Sequence, residues 1–250
     1  VAFSPTGQLL ASGGLDGRVC VWQVVSHALI YVFSGQSAVL SIAWLEDSEQ
    51  LVCRMQDGTI AHLVILASSI KLEGFWAHPY PVERLAYSHN QLASGAHGEV
   101  KIWLRASGSS WTFQTSLSPP RPSSYTTAHE IVLTSLHWTS APSHPSVLLA
   151  TYMSHGIVAF DAQTGARIGA AHVPGRIADA CLSRDGRLLV VSNMLTGFEL
   201  FELKGLVEIE ALYCFKQKIQ ARMPLPVRFL HGDHAIIGGT SDGRINIWDV

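Results

Sequence analysis

The sequence predicts an all-β fold assembled by repeating one unit of four antiparallel strands, and three observations carry that prediction. The first is a hairpin that recurs. In Gly238 to Val250, GGTSDGRINIWDV, an apolar run ending at Ile237 meets a Ser241-Asp242-Gly243 turn, and an alternating strand, Arg244 to Trp248, follows. Asp can bond its own downstream backbone and Gly accepts positive φ, so Asp-Gly makes the tight turn. Ser12 to Trp22, SGGLDGRVCVW, repeats this stretch nearly residue for residue, and Ser94 to Trp103, SGAHGEVKIW, repeats it one residue shorter. The second observation is the half-unit upstream. VAFSPTGQLLAS (Val1 to Ser12) and ACLSRDGRLLVV (Ala180 to Val191) each read strand, turn, strand. The third is spacing: first-strand positions recur roughly every 40 to 50 residues, as a repeat architecture requires, and helical periodicity is nowhere sustained.

On Ser4-Pro5-x-Gly7, Ser12-Gly13, Asp16-Gly17 and Trp22 of the first copy, and Gly239, Asp242-Gly243 and Trp248-Asp249 of the last, the sequence resembles the WD-repeat (WD40) β-propeller family. The resemblance implies a β-propeller of four-stranded antiparallel blades. Within a blade it also implies a hydrogen-bonded network of the tryptophan, the turn aspartate, a Ser or Thr of the second strand and a His before the first strand. Blade one offers Ser12, Asp16 and Trp22, while blade three offers His78, Ser94 and Trp103, with His97 in place of the aspartate. Asp57 occupies the turn of blade two, and Asp242 and Trp248 close the last repeat.

Residues 1–250 read as one propeller domain with six recognisable blades at about 1–34, 35–75, 76–125, 126–171, 172–217 and 218–250. Blade one has strands at Ala2-Phe3, Leu9 to Ala11, Val19 to Trp22 and Leu29 to Phe33. Blade two alternates over Val39 to Trp44 and Leu51 to Arg54, but Leu63 stands where tryptophan belongs. Blade three opens with Trp76-Ala77-His78. Ser107 to Thr127, rich in Ser and Pro, is expected to leave the sheet as an insertion, because proline lacks the donor a ladder needs. Inside it Pro119-x-x-Pro122 has the spacing of a polyproline ligand, a weak signal beside a plain flexible loop. Phe160 in blade four and Phe201 in blade five take the tryptophan place. Blade six begins near Val227 and its outer strand falls beyond Val250. A propeller closes by building one blade from both chain ends: six blades could be closed by a strand from just before Val1, or a seventh blade could lie outside this stretch, and because seven is the commoner number in the family the expectation is a fragment of a seven-bladed ring.

Composition narrows the function classes. A net charge of −2 and 14% charged residues imply no strong electrostatic partner, and no apolar run approaches the roughly 18 residues a membrane helix needs. Lys216, Lys218, Arg222 and Arg228 cluster between blades five and six, but four charges without interleaved aromatics give little phosphate affinity, so nucleic acid is not expected. Cys20, Cys53, Cys181 and Cys214 are far apart and read as buried free thiols, which favours a cytoplasmic or nuclear setting. His231-Gly232-Asp233-His234 looks superficially like a metal cluster; it falls at a turn and lacks further ligands at usable spacing. No metal or cofactor is expected. Asp16, Asp57 and Asp242 each occupy the same turn of a different repeat, so capping explains them better than acid-base chemistry. No nucleophile elbow, Ser-His-Asp grouping, phosphate loop or dinucleotide fingerprint is present, and no catalytic residue is assigned.

Two functional classes follow. One is a non-catalytic scaffold that presents loops to other proteins or peptides, as the resemblance implies. The other is a propeller enzyme or carbohydrate-binding propeller, which needs polar residues converging on the central channel. The innermost strands, Val1 to Phe3, Val39 to Ala43, Leu133 to Leu136 and Ile177 to Leu182, are mostly small or apolar, and that favours the scaffold. In the family, two sets of loops surround one mouth of the channel. That rim would here carry Trp76, Tyr80, His97, Glu130, His155, Arg176 and Arg228, of residue types enriched at interface hot spots. Tyr80, stiffened between Pro79 and Pro81, is the foremost candidate anchor, whereas Trp76 and His78 are equally well read as packing within blade three. Oligomeric state is not legible.

Overall fold

The computed structural model describes residues 1–45, 49–66, 69–105, 110–120, 130–141, 144–206, 208–216 and 223–250. Among the described residues there is no helix, and so none long and apolar enough to cross a membrane. The chain divides into two compact units, Val1–Gln114 and Thr115–Val250.

The first unit holds three antiparallel sheets. One is β1 (Ala2–Phe3), β2 (Leu9–Gly13), β3 (Arg18–Gln23) and β4 (Leu29–Ser34), and the next is β5 (Val39–Trp44), β6 (Gln50–Met55), β7 (Thr59–Ile65) and β8 (Ile70–Trp76). The third contains β9 (Arg84–Ser88), β10 (Gln91–Ala96), β11 (Glu99–Arg105) and β12 (Trp111–Leu117), whose last strand runs across the boundary between the units. The second unit adds β13 (Leu133–Ala141), β14 (His144–Tyr152), β15 (Gly156–Asp161) and β16 (Arg167–Ala171), followed by β17 (Ile177–Leu182), β18 (Leu188–Asn193), β19 (Gly197–Leu203) and β20 (Ile209–Lys216). A three-stranded sheet of β21 (Val227–Leu230), β22 (Ala235–Gly239) and β23 (Ile245–Asp249) ends it. Each sheet pairs its strands in chain order.

Two sequence expectations require correction. The Ser107 to Thr127 segment does not simply leave the sheet: Trp111–Leu117 forms β12, the outer strand of the third sheet. Trp111, Thr112 and Phe113 supply the β propensity that the surrounding Ser and Pro obscure, and Trp111 and Leu117 are buried. Pro119 follows that strand, while Pro122 lies outside the described residues. Of the four thiols, all free, only Cys53 is fully buried; Cys20, Cys181 and Cys214 are half-buried. Burial pushes the Cys53 thiol up to about 12, so it stays protonated and inert.

Alternation in the strands is what stacks the sheets. Because successive residues point to opposite faces, a sheet can offer apolar residues to neighbours on both sides, and within each unit the sheets pack in this way. In the first unit, Val19 and Val21 of β3 pack with Val39, Leu51 and Leu63, while Val52 and Ile60 pack on the other side with Leu92 and Trp103. In the second, Leu189, Val191 and Phe201 share a cluster with Ile157 and Ile177, and Phe198 and Val190 share one with Val227 and Ile236. Leu63 is fully buried where tryptophan was expected, and contributes about 2 kcal/mol by burial alone.

First strands carry a recurrent irregularity. Register slips between Val39 and Ser41 in β5, between Leu133 and Ser135 in β13, and between Ile177 and Asp179 in β17. A bulge at the same place in three sheets belongs to the repeat, and it re-aims the side chains that follow it.

In the first, second and fourth sheets, the connection leaving the outer strand passes close to the turn between the second and third strands. Gly58, at φ 86°, accepts the amides of Ala77 and His78 on its carbonyl, and a Cβ added there would lie 1.8 Å from the His78 carbonyl oxygen. Gly17 and Gly156 face the same constraint, at 2.6 Å from the Gly35 oxygen and 2.2 Å from the Ala171 oxygen. Gly58→Ala is therefore expected to cost at least about 3 kcal/mol through strain and collision together, measured by urea unfolding against the wild type.

Candidate functional site

The best-formed polar arrangement lies in the third sheet. His78, in the segment entering β9, is fully buried, as is Ser94 of β10. The His78 Nε2 to Ser94 Oγ distance is 2.7 Å, and Trp103 of β11 donates its indole N–H to the same Oγ at 2.8 Å. His78 Nδ1 lies 2.6 Å from Glu99 Oε2, and Lys101 donates to the Ala77 carbonyl at 2.8 Å and pairs with Glu99 at 3.2 Å. One proton assignment satisfies every group. Trp103 donates to Ser94, Ser94 donates to Nε2, and Nδ1–H donates to the carboxylate of Glu99. Burial holds the His78 imidazole below its ordinary value despite Glu99, so the neutral ring this wiring needs is the favoured one. Burial by itself would raise the Glu99 carboxyl; hydrogen bonds from His78 and Lys101 outweigh it and hold the group below the usual carboxylate range.

This corrects the sequence reading of His97. Glu99, not His97, completes the network, because the residue that reaches His78 stands at the start of β11 rather than in the turn. Spacing from Trp103 was the available signal: a carboxylate four residues before the tryptophan, on the same strand face, was passed over for a position in the turn. His97 instead takes a left-handed conformation (φ 52°), donates its amide N–H to the Glu83 carboxylate at 3.1 Å, and meets the Tyr80 ring edge-on at 4.5 Å.

Other blades keep less of the arrangement. Trp22 reaches Ser12 only at 3.4 Å, and Asp16 and Asp57 cap their turns through the amides of Arg18 and Thr59. Asp242 accepts from the Thr240 hydroxyl and pairs with Arg244, while Trp248 packs against Phe198 and Phe215. In the second sheet, His62 of β7 is buried; its Nε2 bonds Gln50 at 2.9 Å, and the indole of Trp111 donates to its Nδ1 at 3.3 Å. Arg105 also donates to Gln50. The sequence reading missed this cluster, since no repeat pattern marks His62.

Ser94, His78 and Glu99 have the order and distances of a hydrolytic triad, yet the serine is 0% exposed and the Trp103 N–H occupies its oxygen. No substrate carbonyl can reach it, so the arrangement is structural. In the second unit, β13, β17 and β21 are neighbours, and they are more polar than expected. The bulges bring Ser135 and Asp179 into play: Ser135 lies 3.0 Å from His137 Nε2, and Asp179 pairs with Arg228 at 2.6 Å. Burial holds His137 down to about 4. This line of groups is internally paired.

The remaining rim candidates divide by unit. In the first, Tyr80 is 52% exposed, and Trp76, at the end of β8, is 61% exposed with Lys101 at 5.9 Å over its ring. Trp76 therefore does not pack inside the third sheet, whereas His78 does. In the second, Glu130 and Arg176 are exposed, and the Arg176 amide donates to Asn193. His155 sits in the β14–β15 turn with Nδ1 buried and unbonded, and burial lowers its pKa. Arg228 lies in β21, tied to Asp179. His231 to His234 forms the β21–β22 turn, and Asp233 accepts the Arg184 amide at 2.8 Å. Lys218 and Arg222 lie outside the described residues. Among the described residues, no cluster of His, Cys, Asp or Glu could hold a metal ion.

Stacked four-stranded antiparallel sheets with this wiring define a β-propeller. Two solved structures are similar over the chain. One, described as the crystal structure of the mitotic checkpoint complex, matches with a TM-score of 0.79 and 19% identity over 100% of this chain and 73% of the other. The β-propeller domain of Cps50 (Swd1) from Myceliophteria thermophila matches at 0.75 and 19% over 99% and 81%. At that identity they show the fold alone. The family model described as WD domain, G-beta repeat matches residues 1–23. The WD repeat-containing protein VIP3 of Arabidopsis thaliana is 32% identical over 103 residues, 34% of this chain and 31% of that protein, so the match spans about a third of each. The chain has the fold of a β-propeller, and its first 23 residues are similar to the WD repeat.

Two outcomes test the network. Ser94→Ala strands the Trp103 N–H and His78 Nε2 in the core, and should cost about 2–4 kcal/mol, against less than about 1 kcal/mol for Ser12→Ala, where the bond is long; chemical denaturation compares them. His137 has a lowered pKa when folded, so the unfolded chain binds its proton first. Its contribution is complete above 6.5 and is lost as pH falls toward about 4. Unfolding free energy should drop between pH 7 and 5, about 1–2 kcal/mol of it absent in His137→Gln.

Proposed function

We propose that this chain is a non-catalytic scaffold that binds other proteins or peptides, with an anchoring surface in its first unit at Tyr80 and Trp76. The observation that carries the reading is the contrast between these rings and the polar groups around them. Large aromatic side chains are ordinarily buried, and these two stand more than half exposed on a segment held by Pro79, Pro81 and the bonds to Gly58. The triad-like groups are sealed, which weighs against the propeller-enzyme alternative. Protein partners suit the WD-repeat similarity of the first repeat. His97, which braces Tyr80, belongs to the same surface. In the second unit Glu130, His155, Arg176 and Arg228 are secondary candidates for contact with partners; Arg176 ranks first because its side chain is not committed to an ion pair. The cytoplasm or nucleus is the proposed setting, since four free thiols persist best where glutathione keeps them reduced.

Tyr80→Ala and Trp76→Ala should each weaken capture of a native partner by about tenfold or more, while the melting temperature stays within a few degrees, because exposed rings carry little of the fold. Arg176→Ala should have a smaller effect in the same pull-down and calorimetry. Undiminished capture by the Tyr80→Ala, Trp76→Ala double variant would place the binding surface elsewhere.

A further inference from the structure

We infer that the Trp76 and Tyr80 surface recognises an uncharged, proline-bearing segment in the polyproline II conformation. The inference rests on the scaffold reading above and names the chemistry of its partner. Charge is what the surface does not offer. Lys101 is committed three times, to the Ala77 carbonyl, to Glu99 and to the face of Trp76. Glu99 is held by His78 and Lys101, and Glu83 receives the amide of His97. A cationic ligand would meet the Lys101 ammonium already over the Trp76 ring, and an anionic one would meet Glu83 and Glu99. Neither sign is favoured.

What the surface does offer is two aromatic rings with outward donors. Among the described residues, neither the Trp76 indole N–H nor the Tyr80 hydroxyl has a hydrogen-bond partner, and both rings are more than half exposed. A polyproline II strand is the complementary ligand. Proline lacks an N–H, so its backbone presents carbonyl acceptors without donors, its rings lie flat on aromatic faces, and its conformation costs little entropy to order.

The test is calorimetric titration of the chain with an end-capped polyproline peptide of about ten residues, at low and high salt. Saturable binding is expected. Trp76→Ala and Tyr80→Ala should each weaken it about tenfold or more, Tyr80→Phe should weaken it less, and raising sodium chloride from about 50 to 500 mM should change it by under about twofold. Failure of the wild type to bind, equal binding by both alanine variants, or a steep loss with salt would overturn the inference. The two readings separate cleanly. Partner capture that depends on Tyr80 but is not competed by the peptide retains the scaffold surface and removes the proline chemistry, whereas capture indifferent to Tyr80 removes both.

Discussion

Burial of each sheet against its neighbours is the interaction on which everything else depends. A single four-stranded sheet of this kind is apolar on both faces and is not stable alone; Val19, Ile60, Leu189 and Val190 are excluded from water only because another sheet covers them. The turn glycines serve that packing. By lacking a Cβ, Gly17, Gly58 and Gly156 let the connection to the next sheet lie directly on the preceding hairpin, and the spacing between sheets follows. The recurring bulge in the first strands serves it too, by turning Ser135 and Asp179 toward polar neighbours instead of the apolar interface.

Hydrogen bonding then makes individual sheets unequal. The third is joined by a continuous chain from Trp103 through Ser94 and His78 to Glu99, and its Lys101 and His97 contact the exposed rings of Trp76 and Tyr80. The first relies on one long bond from Trp22, and in the last Gly238 stands where Ser12 and Ser94 stand in theirs, two residues beyond the strand partner of the tryptophan. If the two rings bind a partner, as proposed, a rigid support serves them, because rings that must be ordered on binding lose affinity. The best-wired sheet is the one whose residues contact them.

Most of the architecture was legible because it is periodic. Asp-Gly turns and alternating strands ending in an aromatic mark the repeats from Ser12 to Trp22 and from Gly239 to Trp248, and they set the frame for sheets whose own signals are faint. What escaped was whatever depended on packing rather than period. The strand Trp111–Leu117 was hidden by flanking Ser and Pro, since composition over a window averages a short strand with its loop. Glu99 was missed because its role depends on which way a strand faces, not on the turn motif. Exposure was legible for Tyr80, flanked by prolines, but not for Trp76, because a tryptophan at a strand end is buried or exposed according to the neighbour it meets. The polar line along β13, β17 and β21 needed the bulges, which alternation alone does not reveal.

The second sheet has no tryptophan of its own at the usual place. Its buried His62 is satisfied by Gln50 and by the indole of Trp111, a residue that belongs to the next sheet. The two sheets thus share one donor across their interface, with Arg105 fastening the same Gln50 from the third. Repeats are commonly pictured as interchangeable modules that duplication can insert, delete or shuffle. These two are not: the second moved alone would strip His62 of the Trp111 indole, and the third moved alone would strip Trp111 and Arg105 of their acceptors, so the two are expected to melt together.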